Sequence, residues 1–193
     1  MSTMELTQRM SFLKEIDALK GIVRASPIMD QTRRENTAEH SWHLSMYALV
    51  LAPLAPSAVN IERVIQMLMI HDIVEIDAGD TPIHGGVGLE KQAELEEKAA
   101  ERLFGLLPKK QALQLRNLWE EFEDAKSEDA RFAKALDRLQ PLIQNVHTNG
   151  GTWAEANVSE QQVYERYGPT IKNGSVELWD YARELVHQHF RQQ

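Results

Sequence analysis

The chain reads as an all-α protein, a single-domain helical bundle over residues 1–193. Three observations predict this. Nearly every periodic stretch repeats its apolar residues at helical spacing, and no stretch sustains the period-two alternation of a half-buried strand. Capping residues, prolines and glycine pairs also punctuate the chain at helix-length intervals.

The elements follow in order. Over residues 4–24, Met4, Met10, Leu13, Ile16, Leu19, Ile22 and Val23 form one stripe, which Ser26-Pro27 stops. Residues 27–36 are polar and turn-like and include Arg33-Arg34. Asn36-Thr37-Ala38-Glu39 reads as an N-cap with Glu at the third helical position, opening a helix to about Leu51, before Pro53 and Pro56. Asn60 caps a helix over about 61–77, ended by Gly79. Four of the ten glycines then fall between Gly79 and Gly88, predicting a loop. Amphipathic helices follow at about 89–107, 108–124 (with Pro108 in its first turn) and 129–147, the last capped by Ser127 or Asp129. Asn149-Gly150-Gly151 breaks the chain, and helices at about 159–167 and 170–190 complete it.

Composition bounds the function. A hydrophobic content of 42% and a charged content of 26% are those of a soluble globular protein. The absence of cysteine excludes disulfides, a thiolate nucleophile and any cysteine-ligated metal. A tightly held metal must therefore use histidines and carboxylates. The formal net charge of −8 argues against a nucleic-acid binder, and no apolar run is long enough to span a membrane. The amphipathic N-terminus has no signal-peptide core, so the expected location is cytoplasmic.

The most informative residues are His71 and Asp72, at the end of an apolar helical stretch. Burying an imidazole and a carboxylate costs several kcal/mol unless they are paired or hold a metal. His40 lies in line with Leu44, Tyr47 and Leu51 on the preceding helix, and Asp137 in line with Ala133, Leu136, Gln140 and Ile143 on a later one. Three helices packed through these stripes would gather His40, His71, Asp72 and Asp137 at one point. Two nitrogens and two carboxylates suit one divalent metal ion, with manganese, cobalt, nickel, iron, zinc and magnesium as the candidates.

This arrangement resembles the HD-domain metal-dependent phosphohydrolases, whose signature is H…HD…D on an all-α scaffold. The likeness is greatest to the branch of bacterial 5′-deoxynucleotidase and its eukaryotic relatives. It is carried by Arg33 to Ser41, by His71 to Asp80, and by Leu118-Trp119-Glu120-Glu121-Phe122 followed by Phe132 to Asp137. The metal-site core would occupy about residues 30–145, with the C-terminal helices at about 159–190 outside it. The resemblance implies phosphate release from (deoxy)nucleoside 5′-monophosphates by a metal-activated water, with Glu75 positioning the water and Asp80 transferring a proton, or with the two roles exchanged. It also implies phosphate contacts from Arg24 and Arg33, a small nucleotide as the partner, and a homodimer. The family's Arg-Trp pair ahead of a proline is matched only by Arg24, because Val23-Arg24-Ala25-Ser26-Pro27 has no tryptophan.

Two other readings compete. One is a phosphodiesterase or alarmone hydrolase of the same superfamily. The other is a metal-bound nucleotide-binding module without turnover, which would have no need of Glu75 and Asp80. His43 reads as a core histidine or as a partner to a ligand, His84 as a solvent-exposed loop residue, and Trp119 and Phe122 as core or interface anchors.

Overall fold

A computed structural model describes residues 3–81, 83 and 89–192. Helix α1 (Thr3–Glu15) passes into a 3-10 helix (Ile16–Gly21), and strands β1 (Val23–Pro27) and β2 (Arg34–Asn36) pair antiparallel. Helix α2 (Thr37–Val50), a 3-10 turn (Ala52–Leu54), α3 (Ile61–Ile70) and the short α4 (Glu75–Ala78) follow. Helices α5 (Leu89–Phe104), α6 (Lys109–Asp124), α7 (Glu128–His147), α8 (Gly151–Glu155), α9 (Glu160–Gly174) and α10 (Val176–Arg191) complete the all-α architecture.

The caps expected from the sequence are formed. The Asn36 side chain accepts from the Glu39 backbone N–H while the Glu39 carboxylate accepts from the Asn36 N–H, a reciprocal capping box that fixes the start of α2. Asn60 caps α3 and Ser127 caps α7 each by a single side-chain acceptor, for the Arg63 and Ala130 N–H respectively.

Helix α7 is the central element, packed against α2, α3, α6, α9 and α10. Its Phe132, Ala133, Leu136 and Leu142 are fully buried with Leu44, Val64, Leu68, Phe122 and Ile171. Each such large side chain contributes roughly 1.5–3 kcal/mol of burial free energy. A second cluster, of Phe12, Leu19, Ile73, Val74, Leu103, Phe104 and Trp119, joins α1 and α5 to α4 and α6. Gly174 is required where α9 crosses α7, because a Cβ there would stand 2.5 Å from the Ala135 Cβ and the Arg131 carbonyl oxygen.

Five sequence expectations change. The helix expected over 4–24 stops at Glu15, and part of the expected turn is a two-stranded ribbon. That ribbon is too short to show alternation, with Glu35 the buried residue of β2 between exposed Arg34 and half-buried Asn36. The helix expected over 61–77 is two helices separated by a turn at His71 to Val74. Gly151 opens a short helix instead of a loop, and α9 continues through Pro169 to end at Gly174. Next to this proline, Gly168 packs against the Trp179 ring, where a Cβ would stand 2.8 Å from it. Most of the glycine-rich loop, His84 included, lies outside the described residues.

Candidate metal centre

The turn after α3 is what allows His71 and Asp72 to act together. Consecutive residues on a straight helix point about 100° apart. Here the Trp119 indole N–H donates to the His71 carbonyl oxygen at 3.2 Å, drawing that carbonyl toward α6. Ile73 and Val74 then bury in the second core cluster, away from Val64 and Leu68 in the first. The chain turns at the seam between the two clusters, and both side chains face one point. A sequence that asks for two adjacent ligands therefore ends its helix on the first of them.

His40 sits in the first turn of α2 with no solvent exposure. Its Nδ1 is 3.1 Å from Gln140 Oε1, and its Nε2 is 3.0 Å from Asp137 Oδ1 and 3.9 Å from Asp72 Oδ2. His71 Nδ1 is 2.9 Å from the Leu68 carbonyl oxygen, while Nε2 lies 3.0 Å from Asp72 Oδ1 and 3.6 Å from Asp137 Oδ1. A carbonyl oxygen only accepts, so each Nδ1 carries a hydrogen and each Nε2 of a neutral ring presents a lone pair.

Those lone pairs point at carboxylate oxygens, which also only accept. His71 Nε2 is buried and has no partner with hydrogen-bond alignment, although Asp72 Oδ1 is near. A proton relieves the conflict in one way. Burial opposes an imidazolium, but the charges of Asp72 and Asp137 outweigh it and push His71 up to about 10. A divalent cation relieves it for all four groups at once. Ligand atoms of His40, His71 and Asp72 lie within 4.8 Å of one another, and Asp137 Oδ1 adjoins both Nε2 atoms. The donor set of imidazole nitrogen and carboxylate oxygen fits such an ion.

The surrounding groups extend the site. Arg24, from β1, places Nη1 3.3 Å from Asp72 Oδ2 and 3.6 Å from Asp80 Oδ1, with Nε 3.5 Å from Glu35 Oε2. Burial opposes its charge, yet Asp72, Asp80, Asp137 and Glu75 hold it protonated. Glu75 Oε2 accepts from the Thr37 hydroxyl at 2.8 Å. Burial first and the Asp72 charge second push Glu75 up to about 9. Burial also raises Asp80, against the pull of Arg24. Asp137 is held well below the usual carboxylate range: burial opposes this, and the two imidazoles override it.

Seven of the eight residues singled out in the sequence thus meet around one cavity of about 200 Å³ or directly behind its wall. Arg33 does not. Its guanidinium forms a two-pronged pair with Glu39 at 2.7 and 2.8 Å on the exposed side of α2. Sequence reasoning missed Glu35, a buried carboxylate that accepts from the Gln140 and Gln144 amides at 2.8 and 3.0 Å. Gln140 bridges Glu35 to His40, so this chain of hydrogen bonds sets the tautomer and ring orientation of His40. The only signal was Gln140 on the Asp137 stripe, since Glu35 lay in an apparent turn. His43 stands 3.4 Å from Gln140 Nε2, at the edge of the same network.

The comparisons agree with this geometry. The family model described as "HD domain" matches residues 16–179. Human 5′-deoxynucleotidase HDDC2 is 27% identical over 136 residues, covering 70% of this chain and 65% of that protein. A 5′-deoxynucleotidase from Yersinia pestis is 30% identical, covering 66% of this chain and 68% of that protein. The chain therefore spans just under two thirds of the length of the human relative. A crystal structure of a predicted metal-dependent phosphohydrolase from Magnetospirillum magnetotacticum superposes with a TM-score of 0.91 at 52% identity, over 97% of this chain and 96% of that one. A conserved protein from Pyrococcus furiosus, 23% identical with a TM-score of 0.62 over 94% and 99% of the two chains, shares the fold. With the H…HD…D residues in one buried cluster and the family model matched over most of its length, the chain belongs to the HD-domain family.

Proposed function

We propose that this protein is a metal-dependent phosphomonoesterase acting on (deoxy)nucleoside 5′-monophosphates. The observation that carries the reading is the convergence of two imidazole Nε2 atoms on Asp72 and Asp137, with Arg24 beside them. His40, His71, Asp72 and Asp137 are the residues that would hold one divalent ion. The chemistry such an ion supplies is polarisation of a phosphoryl oxygen and a lowered pKa for water.

The chain's own residues do the rest. Arg24 presents a guanidinium, matched to the fork of a phosphate, at the mouth of the carboxylate cluster. Glu75, fixed by Thr37, orients the attacking water. Asp80, raised by burial, carries the proton needed by the departing 5′-oxygen. Arg33 has no part in this reading, since it is committed to Glu39 on the surface. The relatives from human and Yersinia pestis, both named 5′-deoxynucleotidases, support the substrate class.

The test is phosphate release from ribo- and deoxynucleoside 5′-monophosphates with manganese or cobalt, run beside Asp72→Ala. Release by the wild type alone is the expected result. A wild type that binds metal and releases no phosphate from any of them sinks the reading.

The reading includes a homodimer. Trp42, Met46, Leu49 and Val50 lie on one exposed side of α2, with Tyr181 of α10 nearby. Sedimentation should show a dimer for the wild type and a monomer for Trp42→Asp.

A further inference from the structure

Among the described residues, a second cavity opens between α7 and α9, and it adjoins the metal centre's pocket through a shared wall of Lys134 and Arg138. Beyond that wall it is lined by Arg131, Thr170, Lys172 and Asn173, with no carboxylate in its lining. This is unusual in a chain of net charge −8. The other arginines from Arg9 to Arg183 engage a carboxylate, a side-chain amide or a carbonyl oxygen. Arg131 and Arg138 have no hydrogen bond or ion pair among the described residues, although both are half-buried on the central helix.

Positions 131, 134 and 138 fall on one strip of α7. At 1.5 Å of rise per residue, Arg131 is about 9 Å along the helix axis from Asp137. That separation sets Arg131, unlike Lys134 and Arg138, outside the lining of the metal centre's pocket. It suits a second phosphate carried elsewhere on the same ligand. Unpaired cations facing one another across a groove repel, and an anion between them removes the repulsion.

We propose that the α7–α9 groove is a subsite for a second phosphoryl group, so that the preferred substrates are 5′-nucleotides bearing a further phosphate on the sugar's 3′ side. The proposal rests on the phosphomonoesterase reading and deepens it. The 3′ phosphate is either a terminal monoester or the diester link to a following nucleotide. Both present the same anionic group to Arg131 and Lys172, while the 5′ phosphate lies against Arg24.

The experiment compares wild type with Arg131→Gln/Lys172→Gln, two residues outside the metal pocket's lining. Release of 5′-phosphate is followed for a nucleoside 5′-monophosphate, a nucleoside 3′,5′-bisphosphate and a 5′-phosphorylated dinucleotide. The expected result is a tenfold or greater loss of kcat/KM, carried by KM, for the substrates with the second phosphate, and little change for the monophosphate. A loss on the bisphosphate alone identifies the terminal monoester, and a loss on both admits the diester. Equal effects on all three substrates, or none, overturn the proposal. If no substrate is turned over, the phosphomonoesterase reading fails by itself. Calorimetric binding of the bisphosphate to the two proteins then decides the groove: tenfold weaker binding to the variant sustains it, and equal binding overturns it.

Discussion

Helix α7 carries two polar strips of opposite character. On one, Asp137 and Gln140 face inward, and their side chains meet the two imidazoles and Glu35. On the adjoining one, Arg131 and Arg138 line the outer groove with no ion pair among the described residues, and Arg138 also walls the metal pocket. Lys134 stands between them, held by Glu123 at 3.0 Å and lying over the Phe122 ring. The inner strip has more acceptors than donors, and the outer strip more cations than anions. A charge from outside the chain would relieve each imbalance, a cation in one case and, on the groove proposal, an anion in the other. Polar satisfaction, more than burial, therefore separates a site from a structural ion pair.

The largest effect should come from Asp137→Ala, which breaks the inner strip where both histidines converge. Phosphate release should fall to background and calorimetric titration should show no tight manganese or cobalt binding, while Arg131 and the groove stay intact. Retained metal affinity would remove Asp137 from the ligand set.

A smaller effect sharpens the comparison. Gln140→Leu keeps the volume of the inner strip but removes the acceptor for His40 Nδ1 and a donor to Glu35. Loss of such a partner typically weakens metal affinity about 10–100-fold. Glu35→Gln should act in the same direction. An unchanged affinity in both would reduce the network to packing.

The smallest effect is expected at Arg33, an exposed arginine that already has its carboxylate. Arg33→Ala should leave kcat/KM within about twofold, because exposed pairs contribute little. A large fall in activity would return Arg33 to the phosphate site and undercut the distinction between paired and unpaired arginines.

The site was legible to the extent that it depended on residue type and helical register. The capping box at Asn36 and Glu39 sets the phase of α2, and His40 follows from it on the face of Leu44. Asp137 follows from its phase with Leu136 in the same way. Arg33 was misplaced because a basic residue at a matching distance in sequence carries no information about which side of the ribbon it occupies. Glu35 was missed for the same reason: three residues are too few for alternation to show which of them faces inward.

What the sequence determined by itself was most of the helices, their caps and the four residues expected to hold a cation. These follow from local rules, in which each residue's neighbours within a turn or two decide its orientation. Only the tertiary structure decided that α3 ends at His71, that Arg24 and Glu35 enter the site from a strand ribbon, and that α7 and α9 enclose a basic groove. Each depends on groups far apart in the chain, such as Trp119 on the His71 carbonyl, Gln140 on Glu35 and Gly174 against Arg131. Long-range contacts of this kind leave no periodic trace, because packing and charge act through space.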